Sequence, residues 1–156
     1  MRKPLKVLLV EDSEDDSMLL LRELRRSGFD VQSTRVDTRE EMKAALDQTT
    51  WDVILSDYSM PNFSGLAALE VYQKECLDIP FIIVSGAVGE ASAVEMMRAG
   101  AHDYLMKDNL TRLGAVIDRE LRETEVRHQR KLAEQALRLN QFAVDHASQA
   151  ITWVDE

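Results

Sequence analysis

The sequence has little cysteine, no long apolar stretch and no surplus of positive charge, and each shortage closes off a class of protein. Cys76 is the single cysteine among 156 residues, so no internal disulfide framework can hold the fold. It falls in a helical pattern and is expected to be a small core or boundary residue. No apolar run approaches the roughly 18 residues that a membrane span needs. The start, Met1-Arg2-Lys3-Pro4, leads at once into a short apolar strand and an acidic block, too brief and too acidic for a secretory signal; a cytoplasmic setting is expected. The formal charge of −9 argues against a bulk electrostatic grip on nucleic acid. No Gly-x-Gly-x-x-Gly follows the first apolar run, which removes a dinucleotide fold. His102, His128 and His146 have no metal-ligand partners at useful spacing, and Asp145-His146-Ala147 lacks the sequel of a phosphorylated kinase histidine.

What is present is a regular alternation. Lys6 to Val10, Val53 to Leu55 and Phe81 to Val84 are unbroken apolar runs, as expected of strands buried on both faces of a parallel sheet. Phe29 to Val36 alternates with polar residues and suits an edge strand; His102 to Met106 reads as the fifth strand. Between them lie helical patterns: Met18, Leu19, Leu21 and Leu24 up to a Ser27-Gly28 stop; Met42, Ala45 and Leu46 after a Thr38-to-Glu41 capping box; Leu66, Leu69 and Val71-Tyr72, ending near Leu77-Asp78; and Ala93, Val94, Met96 and Met97 up to Gly100. Five strands alternating with helices predict an α/β, doubly wound, five-stranded parallel sheet of flavodoxin-like order 2-1-3-4-5.

In such sheets ligands sit beyond the carboxyl ends of the strands. Those ends carry Glu11 and Asp12 after the first strand, Asp57 after the third, Ser85 after the fourth and Lys107 after the fifth. Two unit charges 4 Å apart repel by about 4 kcal/mol at an effective dielectric near 20. Crowded carboxylates therefore call for a hard cation, and oxygen ligands suit Mg²⁺ or Mn²⁺. A carboxylate nucleophile, a divalent metal, a lysine and a hydroxyl make a phosphoryl-transfer site, in which Asp57 would attack phosphorus and become an acyl phosphate.

Over roughly residues 4–122 the chain resembles the receiver domain of bacterial two-component response regulators. The resemblance rests on Glu11-Asp12, the Asp57 loop with Met60-Pro61 and Gly65, and Ser85, Tyr104 and Lys107. It implies that Asp57 accepts phosphate from the phosphohistidine of a sensor histidine kinase or a histidine phosphotransfer protein. It further implies that Glu11, Asp12, Asp57 and the Ser59 carbonyl surround Mg²⁺, and that Ser85 and Tyr104 form a switch pair, with Lys107 and Ser85 holding the phosphoryl oxygens. Two departures stand out. Asp108 follows Lys107 where the family usually has proline, and Gly86-Ala87-Val88-Gly89 is glycine-rich, which predicts added mobility before the fourth helix.

Competing readings are weaker. A flavodoxin would need a phosphate-friendly loop where Glu11 to Asp16 stands, and a haloacid-dehalogenase-like aspartyl-phosphate phosphatase wants an acid where Ser59 stands. A receiver-shaped dimerisation scaffold that works without phosphate is the remaining alternative. As a receiver, the fragment is expected to be no enzyme beyond its own phosphorylation and dephosphorylation.

No glycine or proline follows Gly114, so the last helix should run on past residue 122. Leu121, His128, Gln135 and Phe142, interleaved with Glu125, Leu132 and Leu139, give a half-polar heptad seam. Residues 123–140 are expected to be a signalling linker helix that supports a homodimer. Residues 141–156 resemble the opening helix and first strand of a PAS domain, with the strand at Ala150 to Glu156. The expected organisation is receiver 1–122, linker 123–140 and a truncated PAS start 141–156, cut from a longer protein such as a histidine kinase or cyclase.

Overall fold

Three strands carry apolar side chains on both faces because each is covered twice. In the computed structural model, which describes residues 2–86 and 90–154, β1 (Lys3–Val10), β3 (Val53–Ser56) and β4 (Phe81–Ser85) form the centre of a five-stranded parallel sheet. β2 (Phe29–Val36) and β5 (Asp103–Met106) form its edges, in the order β2-β1-β3-β4-β5 expected from the sequence. Leu8, Val10, Ile54, Phe81 and Ile83 point into one core layer, under α2 (Arg39–Gln48), α3 (Gly65–Lys74) and α4 (Glu90–Ala99). Their neighbours Val7, Leu9, Val53, Leu55, Ile82 and Val84 point into the other layer, with α1 (Glu14–Arg26) and the start of α5 (Leu113–Val154). The period of two along each strand thus divides one apolar run between two layers.

The helices begin and end where local chemistry directs them. Ser13, Thr38 and Ser64 cap α1, α2 and α3 by accepting the N–H of Asp16, Glu41 and Ala67. Gly28 and Gly100 terminate α1 and α4 at positive φ, 100° and 121°. Between β5 and α5 the chain makes a short 3₁₀ turn, Lys107–Arg112.

Several sequence expectations are corrected. On α1 the core-facing residues are Ser17, Leu20 and Leu24, while Met18 and Leu19 are exposed. The buried stripe follows i, i+3, i+7 from Ser17, and the run of four apolar residues hid that register. On α4 Met96 is buried, but Val94 and Met97 are exposed. Cys76 is exposed and lies beyond α3, at φ 53°. The helix ends at Lys74 with Glu75 as its cap, before the expected limit near Leu77-Asp78, so Cys76 takes the left-handed position instead of a core site. Residues 150–154, expected as a strand, continue α5, because no helix-breaking residue intervenes; Asp155 and Glu156 lie outside the described residues. Ala87–Gly89, for which mobility was expected, also lie outside them.

The chain divides into two units, Met1–Leu121 and Arg122–Glu156. The first holds the sheet and both core layers. The second is helical through Val154 and exposes Val126, Leu132, Leu137, Leu139, Phe142 and Val144. Among the described residues, no helix is long and apolar enough to cross a membrane.

Candidate functional site

Because all five strands run the same way, their last residues share one rim. Two of the acidic positions there are fixed by backbone bonds that extend the sheet ladder: the Glu11 N–H donates to the Val36 carbonyl at 3.0 Å, and the Asp57 N–H to the Val10 carbonyl at 2.8 Å. Gly65 closes the loop behind Asp57. Its N–H donates to the Tyr58 carbonyl at 2.9 Å, and a Cβ at this position would lie 2.6 Å from the Asp57 carbonyl oxygen. No side chain fits there, which explains the glycine.

Glu11, Asp12 and Asp57 converge so that one carboxylate oxygen of each lies within 4.8 Å of the others. Asp12 is exposed, whereas Glu11 and Asp57 are buried. Lys107 enters from the β5 side. Its ammonium donates to Glu11 Oε2 at 2.8 Å, Asp16 Oδ2 at 2.7 Å and Asp57 Oδ2 at 3.3 Å. Three carboxylates thus share one cation, with Asp12 beside Glu11 and Asp57.

Burial pushes the Glu11 carboxyl up to about 7, against the lowering effect of the bonds from Lys107 and the Ser13 N–H. Burial by itself would lower the Lys107 pKa. Hydrogen bonds to Asp16 and Glu11, with the charges of Glu11 and Asp57, outweigh it and hold the ammonium above the usual lysine range. Lys107 therefore stays charged, and the pocket keeps an unbalanced negative charge. An all-oxygen donor set of this kind, partly buried and with Asp12 open to solvent, fits a hard divalent cation such as Mg²⁺ or Mn²⁺.

The other expected site residues stand around this cluster. The Ser59 N–H donates to Asp57 Oδ1 at 3.4 Å. Ser85 ends β4 and is buried. The Tyr104 hydroxyl is buried and completes no hydrogen bond among the described residues. Burial raises its pKa, Ser85 opposes that shift, and Asp57 and Tyr58 add to it through their charges. Tyr104 therefore faces the pocket beside Ser85 without closing a well-formed bond to it.

Two contacts were not foreseen. Asp16 holds Lys107, although Ser13-x-x-Asp16 reads as an ordinary helix start; nothing in that spacing points across to Lys107. Arg35, at the end of β2, donates from Nη1 to the Glu11 carbonyl at 3.3 Å. Its place at a strand end was the available signal. Asp108 continues the chain into the 3₁₀ turn, and no peptide bond among the described residues is cis.

Comparison with known proteins agrees with this fold. The transcriptional regulatory protein PrrA of Mycobacterium leprae is 35% identical over 102 residues, 65% of this chain and 43% of its own length. The alkaline phosphatase synthesis transcriptional regulatory protein PhoP of Bacillus subtilis is 30% identical over 122 residues, 78% of this chain and 50% of its own length. The chain thus spans half or less of these curated relatives. A solved signal receiver domain of a signal transduction histidine kinase from Syntrophus aciditrophicus superposes with a TM-score of 0.65 at 26% identity, covering 76% of this chain and 91% of that one. The family model for the response regulator receiver domain matches residues 7–118. Sheet order, acidic rim and family match together place the chain in the receiver domain family of two-component response regulators.

Proposed function

We propose that Asp57 is the phosphoacceptor of this receiver and that the rim exists to load and hold one phosphoryl group. The observation that carries the reading is the convergence of Glu11, Asp12 and Lys107 on Asp57, in a pocket with more negative than positive charge. An Asp57 carboxylate oxygen attacks phosphorus of a phosphohistidine. The new O–P bond forms as the N–P bond breaks, and the imidazole keeps the electron pair and takes up a proton. Attack of water on the acyl phosphate later returns Asp57 and inorganic phosphate.

Glu11, Asp12, Asp57 and the Ser59 carbonyl would hold a divalent cation, which would supply charge neutralisation at the transferring oxygens. Lys107 donates to a second phosphoryl oxygen and the Ser85 hydroxyl to a third. Drawing Ser85 toward the phosphoryl group changes the surroundings of the buried Tyr104 hydroxyl, which couples chemistry at Asp57 to β5. The donor partner is a sensor histidine kinase or a histidine phosphotransfer protein. The chain works in the cytoplasm and performs no catalysis beyond its own phosphorylation and hydrolysis.

The long helix extends the reading to output. Its exposed Leu132, Leu139 and Phe142 lie in the interleaved heptad series and suit self-association into a homodimer that carries a change at the receiver along the helix. Labelling with beryllofluoride or a small phosphoramidate in the presence of Mg²⁺ tests the acceptor. Wild-type chain should label and Asp57→Asn should not; equal labelling of both refutes the assignment.

A further inference from the structure

The ammonium of Lys107 has three N–H donors, and each already has a carboxylate acceptor. The three contacts are unequal. Asp16 is nearest at 2.7 Å, Glu11 follows at 2.8 Å, and Asp57 is farthest at 3.3 Å. Phosphorylation frees the donor that faces Asp57, but the ammonium must still swing toward β3, away from the nearer Glu11 and Asp16, to engage the phosphoryl group.

Glu11 is poorly placed to let go. It is fully buried, and its other carboxylate oxygen is occupied by the Ser13 N–H at 3.1 Å. Asp16 differs. Its side chain is 37% exposed, so water can replace the lysine, and it sits in the first turn of α1, where the helix dipole favours a free carboxylate. Its backbone N–H is capped by Ser13 Oγ at 3.2 Å, which fixes its Cα while leaving the carboxylate free to turn.

We infer that Asp16 is a positioning residue. It competes with the phosphoryl group on Asp57 for the Lys107 ammonium, and so sets how readily the loaded state forms. The inference rests on the acceptor role proposed for Asp57, but adds a group that acts through lysine and touches neither phosphorus nor the cation. Asp16 holds Lys107 toward α1 when Asp57 is unmodified and yields it when the phosphoryl group arrives. Removing Asp16 removes a contact that favours the unloaded state, so loading becomes easier.

The test is the affinity for beryllofluoride, a phosphoryl mimic, at saturating Mg²⁺, followed by titration and by ¹⁹F NMR of the bound fluorides. A hydrogen bond to a charged group corresponds to about a tenfold change in equilibrium, and Glu11 retains part of the hold, so Asp16→Ala should tighten binding about three- to tenfold. Asp16→Asn, which keeps an acceptor without charge, should fall between. Asp15→Ala is the charge-matched control: Asp15 is exposed in the same turn and is not bonded to Lys107, so its removal should change affinity less than twofold. The fluorine signal nearest Lys107 should shift in the Asp16 variants and not in Asp15→Ala.

Unchanged or weaker binding in Asp16→Ala overturns the inference, as does an equal effect of Asp15→Ala, which would mean general charge relief. If Asp16→Ala melts below the assay temperature, Asp16→Asn decides by the same criterion. Asp57→Asn separates the two readings. If it still binds, the acceptor assignment falls and this inference with it; if it does not and the Asp16 variants match wild type, only the inference about Asp16 falls.

Discussion

Replacing Gly65 with alanine should damage the acceptor loop more than the fold. The new Cβ would lie 2.6 Å from the Asp57 carbonyl oxygen and 2.9 Å from Tyr58 Cα, both backbone atoms that cannot rotate away. Reaching even the shortest tolerated separation of 3.0 Å requires a shift of about 0.4 Å, and an ordinary contact at 3.4 Å requires about 0.8 Å. Overpacking of this kind costs about 1–3 kcal/mol. Gly65 is the first residue of α3, so the gain in helix propensity offsets little of that cost. At about 4 °C per kcal/mol for a domain of this size, melting should fall by about 4–12 °C. The larger effect is positional. Asp57 would move against Lys107, now 3.3 Å away, and against Glu11 and Asp12. A misplacement approaching 1 Å costs a reacting group up to about a hundredfold, so labelling of Asp57 by a phosphoramidate should slow about ten- to a hundredfold. Thermal melting and labelling kinetics on the same sample check both numbers. Melting within about 2 °C of wild type, with labelling within about twofold, would refute the steric argument.

Other consequences are open to measurement. Glu11 titrates near 7, above its ordinary 4.5, so a metal that needs its carboxylate must expel a proton below that pH; Mg²⁺ affinity should fall between pH 8 and pH 6 with measurable proton release, and a flat profile contradicts the pocket electrostatics. The same raised value means that the stabilisation from protonated Glu11 is complete below about 4.5 and lost as pH rises through about 7; chemical denaturation of metal-free chain across that window should show stability declining. His102 Nδ1 accepts the Phe81 N–H at 3.0 Å, so His102→Ala should cost about 1–3 kcal/mol in urea unfolding while His102→Asn, which keeps an acceptor, costs less; equal losses would mean the bond is unimportant. In sedimentation, wild-type chain should associate more than the double variant Leu132→Asp and Leu139→Asp, and identical behaviour of the two removes the helix as the dimer surface.

The fold was legible because it depends on patterns that repeat along the chain. Unbroken apolar runs at Val53 to Leu55 and Phe81 to Val84 can be satisfied only by cover on both faces, and five strands alternating with helices leave few topologies. Glu11, Asp12, Asp57 and Lys107 were legible for a related reason: parallel strands bring their ends together whatever lies between. Asp16 was not, because its role depends on the direction of a side chain across the pocket and not on its own element. The α1 stripe was misread because four apolar residues in a row, Met18 to Leu21, satisfy more than one helical register; Ser17, small and polar, turned out to mark the buried one. The end of α5 was misread by analogy over too few residues, where continuous helix propensity gave the better guide.

The backbone bonds from Glu11 to Val36 and from Asp57 to Val10 separate the scaffold of this rim from its chemistry. The acids stand on the last rungs of the sheet, so an exchange of side chain there alters charge and reactivity while the peptide frame stays in place. Selection, or an engineer, can retune the occupancy time of such a module one residue at a time without having to solve the folding problem again.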